Sequence, residues 1–254
     1  MSSTDEPTFE VLARGPWPRS RVRVREGPAF LVPREQEALV ESAWRAAVEA
    51  ARARGQRLYP GPLHGLASFL IDADGIELAL HRTDFRALVG TNLSPAYRKT
   101  GARGCDALGI SIIIVQKDGR VLVHRRGAQC YEHPLAIDTP GGHAEPGVHA
   151  DPFAAALDEL EGELGVVASE VLSLELLGLT RILETHKPQA VVLARVTVDH
   201  AAVAGRLASA REGFETSELL PPLAPGELAA LARSRELVSP AGRAALALAA
   251  SILD

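Results

Sequence analysis

The segment "DTPGGHAEPGVHADPFAAALDELEGELGV", residues 138–166, constrains the fold of this chain more than any other part of the sequence. Its first part, "TPGGHAEPG", contains three glycines and two prolines. Glycine lets the backbone approach a ligand closely, and proline stiffens a turn. Its second part has the periodicity of a helix. The segment therefore predicts a rigid loop that leads directly into a helix.

Two carboxylates lie on one side of this predicted helix. Glu159 and Glu163 are four residues apart, so they project together, away from an apolar stripe that Gly165 ends. A stacked pair of this kind repels by a few tenths of a kcal/mol unless a cation such as Mg²⁺ or Mn²⁺ lies between the two groups. A solvated acidic helix face is the alternative interpretation. The stripe consists of Phe153, Ala156, Leu157, Leu160 and Leu164.

The segments around this helix alternate between strand and helix patterns. A helix is predicted between Pro33 and Gly55, and hairpins are predicted at Asp74-Gly75 and at Asp118-Gly119. Two β-prone pieces, "TFEVLA" and "RVRVRE", are separated by Gly-Pro-Trp-Pro. These patterns predict a mixed α/β (α+β) domain over residues 105–254, with an α+β extension over residues 1–104 packed against it. Two strands, 172–183 and 189–198, and three helices, 199–210, 225–235 and 240–253, complete the prediction.

Composition and charge exclude several classes of function. The apolar fraction is 46%, the charged fraction is 23% and the net charge is −5, so binding to nucleic acid is not expected. The apolar runs are too short to span a bilayer, and the acidic start lacks the features of a signal peptide. Cys105 and Cys130 match no disulfide framework and no zinc motif. We therefore expect a cytoplasmic protein with two reduced thiols and no membrane partner.

The segment 138–166 resembles the Nudix box, G-x5-E-x7-R-E-U-x-E-E-x-G-U, in which U is aliphatic. The tail "DELEGELGV" matches the pattern at Glu159, Leu160, Glu163, Gly165 and Val166. The preceding Gly-Gly turn, with a proline before it, is also similar to the loop of that family. The resemblance implies a mixed β-sheet sandwiched between helices and a reaction on a nucleoside diphosphate linked to another group.

Three departures distinguish this segment from the pattern. Glu159 follows Gly142 by seventeen positions, two more than the pattern has. Asp158 stands where the pattern has arginine, and Gly162 stands where it has a metal-binding carboxylate. We therefore expect fewer metal ions than in a complete box, or a ligand recruited from elsewhere in the chain.

Several shorter blocks resemble the Nudix branch that hydrolyses UDP-glucose and UDP-galactose. They are "DFRALVGTN", "RVLVHRRG", "DTPGGHAEP", "LLGLTRILET", "GFETSEL" and "LVSPAGRAALAL". An insertion in the box is also typical of that branch. The resemblance implies a nucleotide-sugar substrate, with UMP and a sugar 1-phosphate as products.

The resemblance also implies roles for individual residues. Glu159, Glu163 and the carbonyl of Gly142 would hold Mg²⁺, with Mn²⁺ as a second possibility. Glu215 is the candidate for the missing acidic group, either as a ligand or as general base. Glu145 and Asp158 are weaker substitutes for that group and are otherwise surface charges. Either of the loop histidines His143 and His149 could touch phosphate, but the expectation is that both are solvated.

Substrate contacts are predicted at the ends of strands and in polar turns. Of Arg125 and Arg126, which are adjacent on one strand, at most one should reach the phosphates, because successive side chains point to opposite faces. Arg181 is predicted to border the same cleft. Gly90, Thr91 and Asn92 form a polar turn suited to uracil or ribose, or else a capping turn. The predicted substrate-binding set is Gly90, Thr91, Asn92, Arg125, Arg126, Gly141, Gly142 and Arg181.

Two other functions stay open on the sequence alone. The first is a Nudix hydrolase that acts on ADP-ribose, a dinucleotide or another nucleotide, because the box grips only the diphosphate. The second is a catalytically inactive Nudix-like module that binds a nucleotide or a protein, because one box carboxylate and the box arginine are missing.

Overall fold

A five-stranded mixed sheet forms the centre of the computed structural model, which describes residues 6–253. The strands of this sheet are β1 (Phe9–Pro18), β5 (Gly109–Val115), β6 (Val121–Leu122), β9 (Val171–Ile182) and β10 (Pro188–Val196). Their order across the sheet is β1-β9-β10-β5-β6, and only the pair β10–β5 is parallel.

Two helices cover the two faces of this sheet. The residues of β5 alternate between them: Ile112 and Ile114 face α4 (Pro152–Leu164), whereas Ile113 and Val115 face α7 (Pro240–Leu253). Every residue of β5 is buried, as the uninterrupted apolar run "GISIIIV" predicts for a strand covered on both sides. The predicted mixed α+β fold with a sheet between helices is thereby confirmed.

Two smaller sheets complete the molecule. One has the order β11-β7-β8, from β7 (His124–Arg126), β8 (Ile137–Asp138) and β11 (Thr216–Leu219). The other has the order β2-β4-β3, from β2 (Val22–Glu26), β3 (Pro62–Asp72) and β4 (Gly75–Asp84). The remaining helices are α1 (Glu37–Ala53), α2 (Phe85–Gly90), α3 (Pro95–Arg98), α5 (His200–Arg206) and α6 (Leu228–Ala232).

The first hundred residues support the loop that carries the glycines. His64 of β3 donates its backbone N–H to the Ala144 carbonyl at 2.8 Å, and its own carbonyl accepts from Leu108 at 2.8 Å. β1 pairs with β9, so it belongs to the central sheet although it lies at the N-terminal end of the chain. The predicted N-terminal extension, residues 1–104, therefore contributes one strand to the sheet of the predicted domain, residues 105–254. The boundary between the two stays a proposal.

Several predicted elements differ in their bounds. β1 continues through Gly-Pro-Trp-Pro, because a shift in pairing register between Arg14 and Trp17 accommodates these residues. The prolines are tolerated because β1 is an edge strand and half of its backbone groups need no partner. The predicted strand "RVLVHRR" divides into β6, which pairs with β5, and β7, which pairs with β8 and β11. The helices predicted at 199–210 and 225–235 are shorter, because part of each is a 3₁₀ turn.

Two further observations concern the cysteines and the helices. Cys105 and Cys130 are free thiols, and both are buried. Among residues 6–253, no helix is both long enough and apolar enough to cross a membrane.

Leu160 anchors α4 to the sheet, and its side chain is fully buried in the larger apolar core. We expect Leu160→Ala to lower the free energy of unfolding by about 2–5 kcal/mol, through the lost burial and the cavity left behind. Chemical denaturation of the two proteins measures the difference. Glu161→Ala, on the exposed side of the same helix, is the matched control and should change stability by less than about 0.5 kcal/mol. Equal effects of the two changes would contradict the placement of α4.

Candidate functional site

The helix α4 has well-defined ends. The Asp151 side chain accepts a hydrogen bond from the Ala154 N–H at 2.7 Å, and Pro152 follows at the first helical position. Gly165 ends the helix in the left-handed conformation, with φ of 65°, as the sequence predicts for this position. Because both ends are capped by local chemistry, the carboxylates between them have a defined position relative to the sheet.

The two predicted carboxylates face the glycine turn and not the solvent. Glu163 is 2% exposed, and its Oε1 accepts a hydrogen bond from the Gly141 N–H at 2.9 Å. A Cβ atom on Gly142 would overlap Oε1 of Glu159, so a side chain at position 142 would displace that carboxylate from its present position. The alternative of a solvated acidic face is wrong for Glu163, because the turn covers it.

The turn itself is tied to the central sheet. Gly141 has φ of 151°, and a Cβ there would overlap the Ile110 carbonyl oxygen. The Gly142 carbonyl accepts a hydrogen bond from the Ile110 N–H at 2.8 Å. This oxygen, the predicted metal ligand, therefore has one protein partner and keeps a second lone pair.

Burial and mutual repulsion raise the pKa of both glutamates. The pKa of Glu159 is raised to about 8, by burial first and then by the charges of Glu212, Glu215 and Asp158. The pKa of Glu163 is raised well above its usual value, by burial first and then by Glu159. The charge of Arg126 offsets the shift of Glu163 only in part, and a bound cation would favour the ionised form of both groups.

The donor chemistry of this site fits a hard divalent cation. Carboxylate and carbonyl oxygens are the ligands that Mg²⁺ and Mn²⁺ prefer, and here they meet in a partly buried place. Within the described range 6–253, no group of three or more His, Cys, Asp or Glu side chains is close enough to hold a metal ion. A full ligand set therefore requires side-chain movement or oxygens from water and substrate.

Two further acidic side chains line a cavity of about 290 Å³ together with Glu159. Glu215, predicted from the sequence, is one of them, and burial raises its pKa while Arg126 opposes the shift. Glu212 is the other, and it was not among the residues predicted from the sequence. Its position three residues before Glu215, on the same 3₁₀ turn region, was the only available signal.

The two adjacent arginines of β7 point in opposite directions, as the pleat of a strand requires. Arg125 is directed outward and pairs with Glu218 at 3.1 Å. Arg126 is directed inward, lies 3.4 Å from Asp138, and its charge acts on Glu163 and Glu215. Its pKa is raised by these carboxylates although burial opposes the shift. Arg126 is therefore the arginine of the pair that faces the acidic site.

The other predicted substrate residues lie away from the glutamates. Gly90 is buried in α2 against Val40, with no room for a Cβ. Asn92 is 1% exposed and donates to Asp106 and to the Thr185 carbonyl. Arg181 pairs with Glu10 at 3.2 Å. Arg181, Thr91 and Asn92 line one recess, but it is not the cavity lined by Glu159.

Thr91 also has an internal partner. Its hydroxyl donates to the Ala87 carbonyl at 2.6 Å, and it accepts from the Cys105 N–H at 3.1 Å. The capping-turn interpretation of this segment accounts for these bonds. A substrate contact by Gly90, Thr91, Asn92 or Arg181 stays a prediction.

The loop histidines are less exposed than expected. His149 is 8% exposed, and its Nδ1 accepts from the Glu145 N–H at 2.9 Å, so it stabilises the inserted part of the loop. His143 follows the glycine turn, and burial lowers its pKa to about 3. The expectation of a solvated side chain is therefore wrong for His149, whereas His143 is half-buried with its Nε2 hidden from solvent.

Other side chains near the site have no sequence motif that marks them. Lys187 and Glu132 form a nearly buried ion pair at 2.6 Å, behind the glycine turn. The pKa of Glu132 is lowered to about 2, by the charge of Lys187 against the effect of burial. Tyr59 and Phe85 line the cavity that holds Glu159. All four come from segments far apart in the sequence, so only the fold brings them to the site.

Comparison with known proteins identifies the family of this chain. The family model described as "NUDIX domain" matches residues 106–238, just over half of the chain. The curated relative "Nudix hydrolase 9" of Arabidopsis thaliana is 26% identical over 174 residues, which is 56% of each protein. The chain belongs to the NUDIX family. The match spans little more than half the length of that relative.

Solved structures of similar proteins include two at low identity. A Deinococcus radiodurans protein is 19% identical, with a TM-score of 0.42, over 56% of this chain and 80% of its own. The NUDIX domain of Shewanella oneidensis NrtR, crystallised with ADP ribose, is 16% identical, with a TM-score of 0.37, over 56% of this chain and 97% of its own.

The raised pKa of Glu159 predicts a pH-dependent effect of its replacement. The pKa of Glu159 is about 8 in the folded chain and near 4.5 in the unfolded chain, so the folded state binds the proton more tightly. This tighter binding stabilises the fold fully below pH 4.5, and the stabilisation is lost as the pH rises from 4.5 to 8. In the absence of metal, we expect Glu159→Gln to raise the melting temperature relative to wild type by several degrees more at pH 8.5 than at pH 5.5.

Melting curves at a series of pH values, with chelator present, measure this difference. Glu161→Gln, on the exposed side of α4, is the control and should show a difference independent of pH. A constant difference between Glu159→Gln and wild type would contradict the buried placement of the carboxylate.

Proposed function

We propose that this chain hydrolyses a nucleoside diphosphate derivative in a reaction that depends on Mg²⁺ or Mn²⁺. The preferred substrate in this proposal is UDP-glucose or UDP-galactose, with UMP and sugar 1-phosphate as products. The observation that carries the proposal is the buried pair Glu159 and Glu163 against the Gly141-Gly142 turn. Two neighbouring carboxylates whose pKa values are raised, at the edge of a cleft, suit a cation, and a cation there would face the diphosphate.

In this proposal, Glu159, Glu163 and the Gly142 carbonyl would hold the metal. A bound divalent metal neutralises phosphate charge and lowers the pKa of coordinated water. Glu215 is the proposed general base: its carboxylate lines the same cavity and would accept a proton from the attacking water. Arg126 is positioned on the inner side of β7, where a guanidinium would contact a phosphate oxygen.

Two aromatic side chains support a nucleotide substrate. Tyr59 is 66% exposed and lines the cavity beside Glu159, and Phe85 lines the same cavity. An exposed aromatic face next to a diphosphate site suits the flat surface of a nucleobase. The choice of uridine rests on the sequence blocks that resemble the UDP-sugar branch, since aromatic contact does not distinguish bases.

The first experiment measures release of UMP from UDP-glucose with and without Mg²⁺, beside ADP-ribose as the competing substrate. We expect metal-dependent cleavage of UDP-glucose and little cleavage of ADP-ribose. Faster cleavage of ADP-ribose than of UDP-glucose would refute the choice of a uridine nucleotide, but the proposal that the chain is a hydrolase would stand. If neither substrate is hydrolysed but nucleotide binding is retained, the proposed function would change to that of the catalytically inactive binding module.

Glu163→Gln tests the role of the buried carboxylate. We expect turnover to fall at least a hundredfold, equivalent to about 3 kcal/mol or more of transition-state stabilisation. The fold should persist, because the apolar side of α4 holds the helix in place. Initial rates and circular dichroism of the same preparations measure both effects. Wild-type turnover in the variant would refute the proposed metal position.

A further inference from the structure

Gly162 lies where the Nudix pattern has a carboxylate, and Glu212 fills the space beside it. One oxygen of Glu212, Oε2, is 2.5 Å from the position that a Cβ on Gly162 would take. The backbone N–H of Glu212 donates to the Gly162 carbonyl at 2.8 Å, which ties this part of the chain to α4. Arg211 Nη2 lies 2.7 Å from the same position, so the ends of two side chains from a distant segment occupy the place where the helix itself has no side chain.

Arg211 holds this carboxylate and also contacts the second altered position of the box. Its Nε donates to Glu212 Oε1 at 3.3 Å, and its Nη2 lies 3.1 Å from Asp158. Asp158 is the residue that replaces the pattern's arginine. The arginine and the carboxylate that α4 lacks are therefore supplied as the neighbouring pair Arg211-Glu212. Oε1 is engaged by this arginine, whereas Oε2 is directed toward Gly162.

Glu212 also lines the cavity that contains Glu159 and Glu215. A second observation at this cavity indicates a ligand: His143 Nε2 is hidden from solvent and has no hydrogen-bond partner within residues 6–253. A buried nitrogen without a partner costs about 1–3 kcal/mol. A bound cation with its shell of water, or a phosphate, would give this nitrogen a partner.

We propose that Glu212 takes the place of the carboxylate lost at Gly162 and serves as a ligand, direct or through water, of the divalent cation held by Glu159 and Glu163. Arg211 is its positioning residue. This inference rests on the proposed function, because it names a further residue of the same metal site. In residues 6–253 as they stand, these three carboxylates are not close enough together to hold one ion directly, so a side-chain rotation or a bridging water would complete the ligand set.

The experiment measures Mn²⁺ binding to the full-length chain by the electron paramagnetic resonance signal of free Mn²⁺, without substrate. We expect Glu212→Gln to raise the dissociation constant at least tenfold. Glu161→Gln is the matched control, because this glutamate lies on the exposed side of α4 next to Gly162. It should bind Mn²⁺ as wild type does.

A relocated carboxylate provides the sharper test. In Glu212→Ala combined with Gly162→Glu, the charge moves onto α4, where the pattern has it. The Glu212 side chain is removed, and the end of the flexible Arg211 side chain, 2.7 Å from the new Cβ, has to rotate away. We expect this double variant to bind Mn²⁺ within about threefold of wild type, whereas Glu212→Ala alone binds at least tenfold more weakly. Circular dichroism and melting temperature establish that each variant is folded.

The outcomes separate this inference from the proposed function. If Glu163→Gln loses Mn²⁺ and Glu212→Gln does not, the role of Glu212 is refuted and the metal-dependent site remains. If wild type binds no Mn²⁺, both the inference and the proposed metal dependence fail. Failure of the double variant to recover binding, with its fold intact, also overturns the replacement of Gly162 by Glu212.

Discussion

The burial of two like-charged carboxylates against a glycine turn is the constraint on which the rest of the structure depends. Glu163 is held by the Gly141 N–H, and Glu159 occupies space that a side chain on Gly142 would fill. Such an arrangement is unfavourable for the isolated chain, because burial and repulsion both oppose ionisation. It persists because the apolar side of α4 is packed into the core and the turn is bonded to β5.

The first hundred residues take part in this arrangement. β1 extends the central sheet beside β9, and β3 bonds the inserted part of the glycine loop through the Ala144 carbonyl. The cavity that holds Glu159 is lined on one side by Tyr59 and Phe85, which come from the same N-terminal part. The extension therefore shapes the site, and the proposed selectivity for a nucleotide depends on it as much as on the box.

If Glu212 is a metal ligand as proposed, a tertiary contact completes the altered box. Asp158 and Gly162 remove an arginine and a carboxylate from α4, yet Arg211 and Glu212 bring the same two groups to the same helix. The exchange is possible because the 3₁₀ segment that carries Glu215 packs on α4 and is bonded to the Gly162 carbonyl. A glycine at position 162 is what allows this close approach.

The sequence by itself determined the elements whose signals are local. The periodicity of α4, the glycine that ends it, the hairpin at Asp74-Gly75 and the apolar run of β5 all depend on residues a few positions apart, so their interpretation held. The pairing of Glu159 and Glu163 on one side of α4 was also determined in this way. The same short segment resembles the Nudix box, and the match of the NUDIX domain over residues 106–238 confirms the family.

Only the tertiary structure decided which distant groups meet at that segment. The inward direction of Arg126, the position of Glu212 beside Gly162 and the burial of His143 depend on contacts between residues far apart in the chain. The placement of Asn92 and Arg181 in a separate recess depends on them too. Spacing along a sequence reports which side chains share a face, but not what that face packs against, because packing is a property of the whole chain.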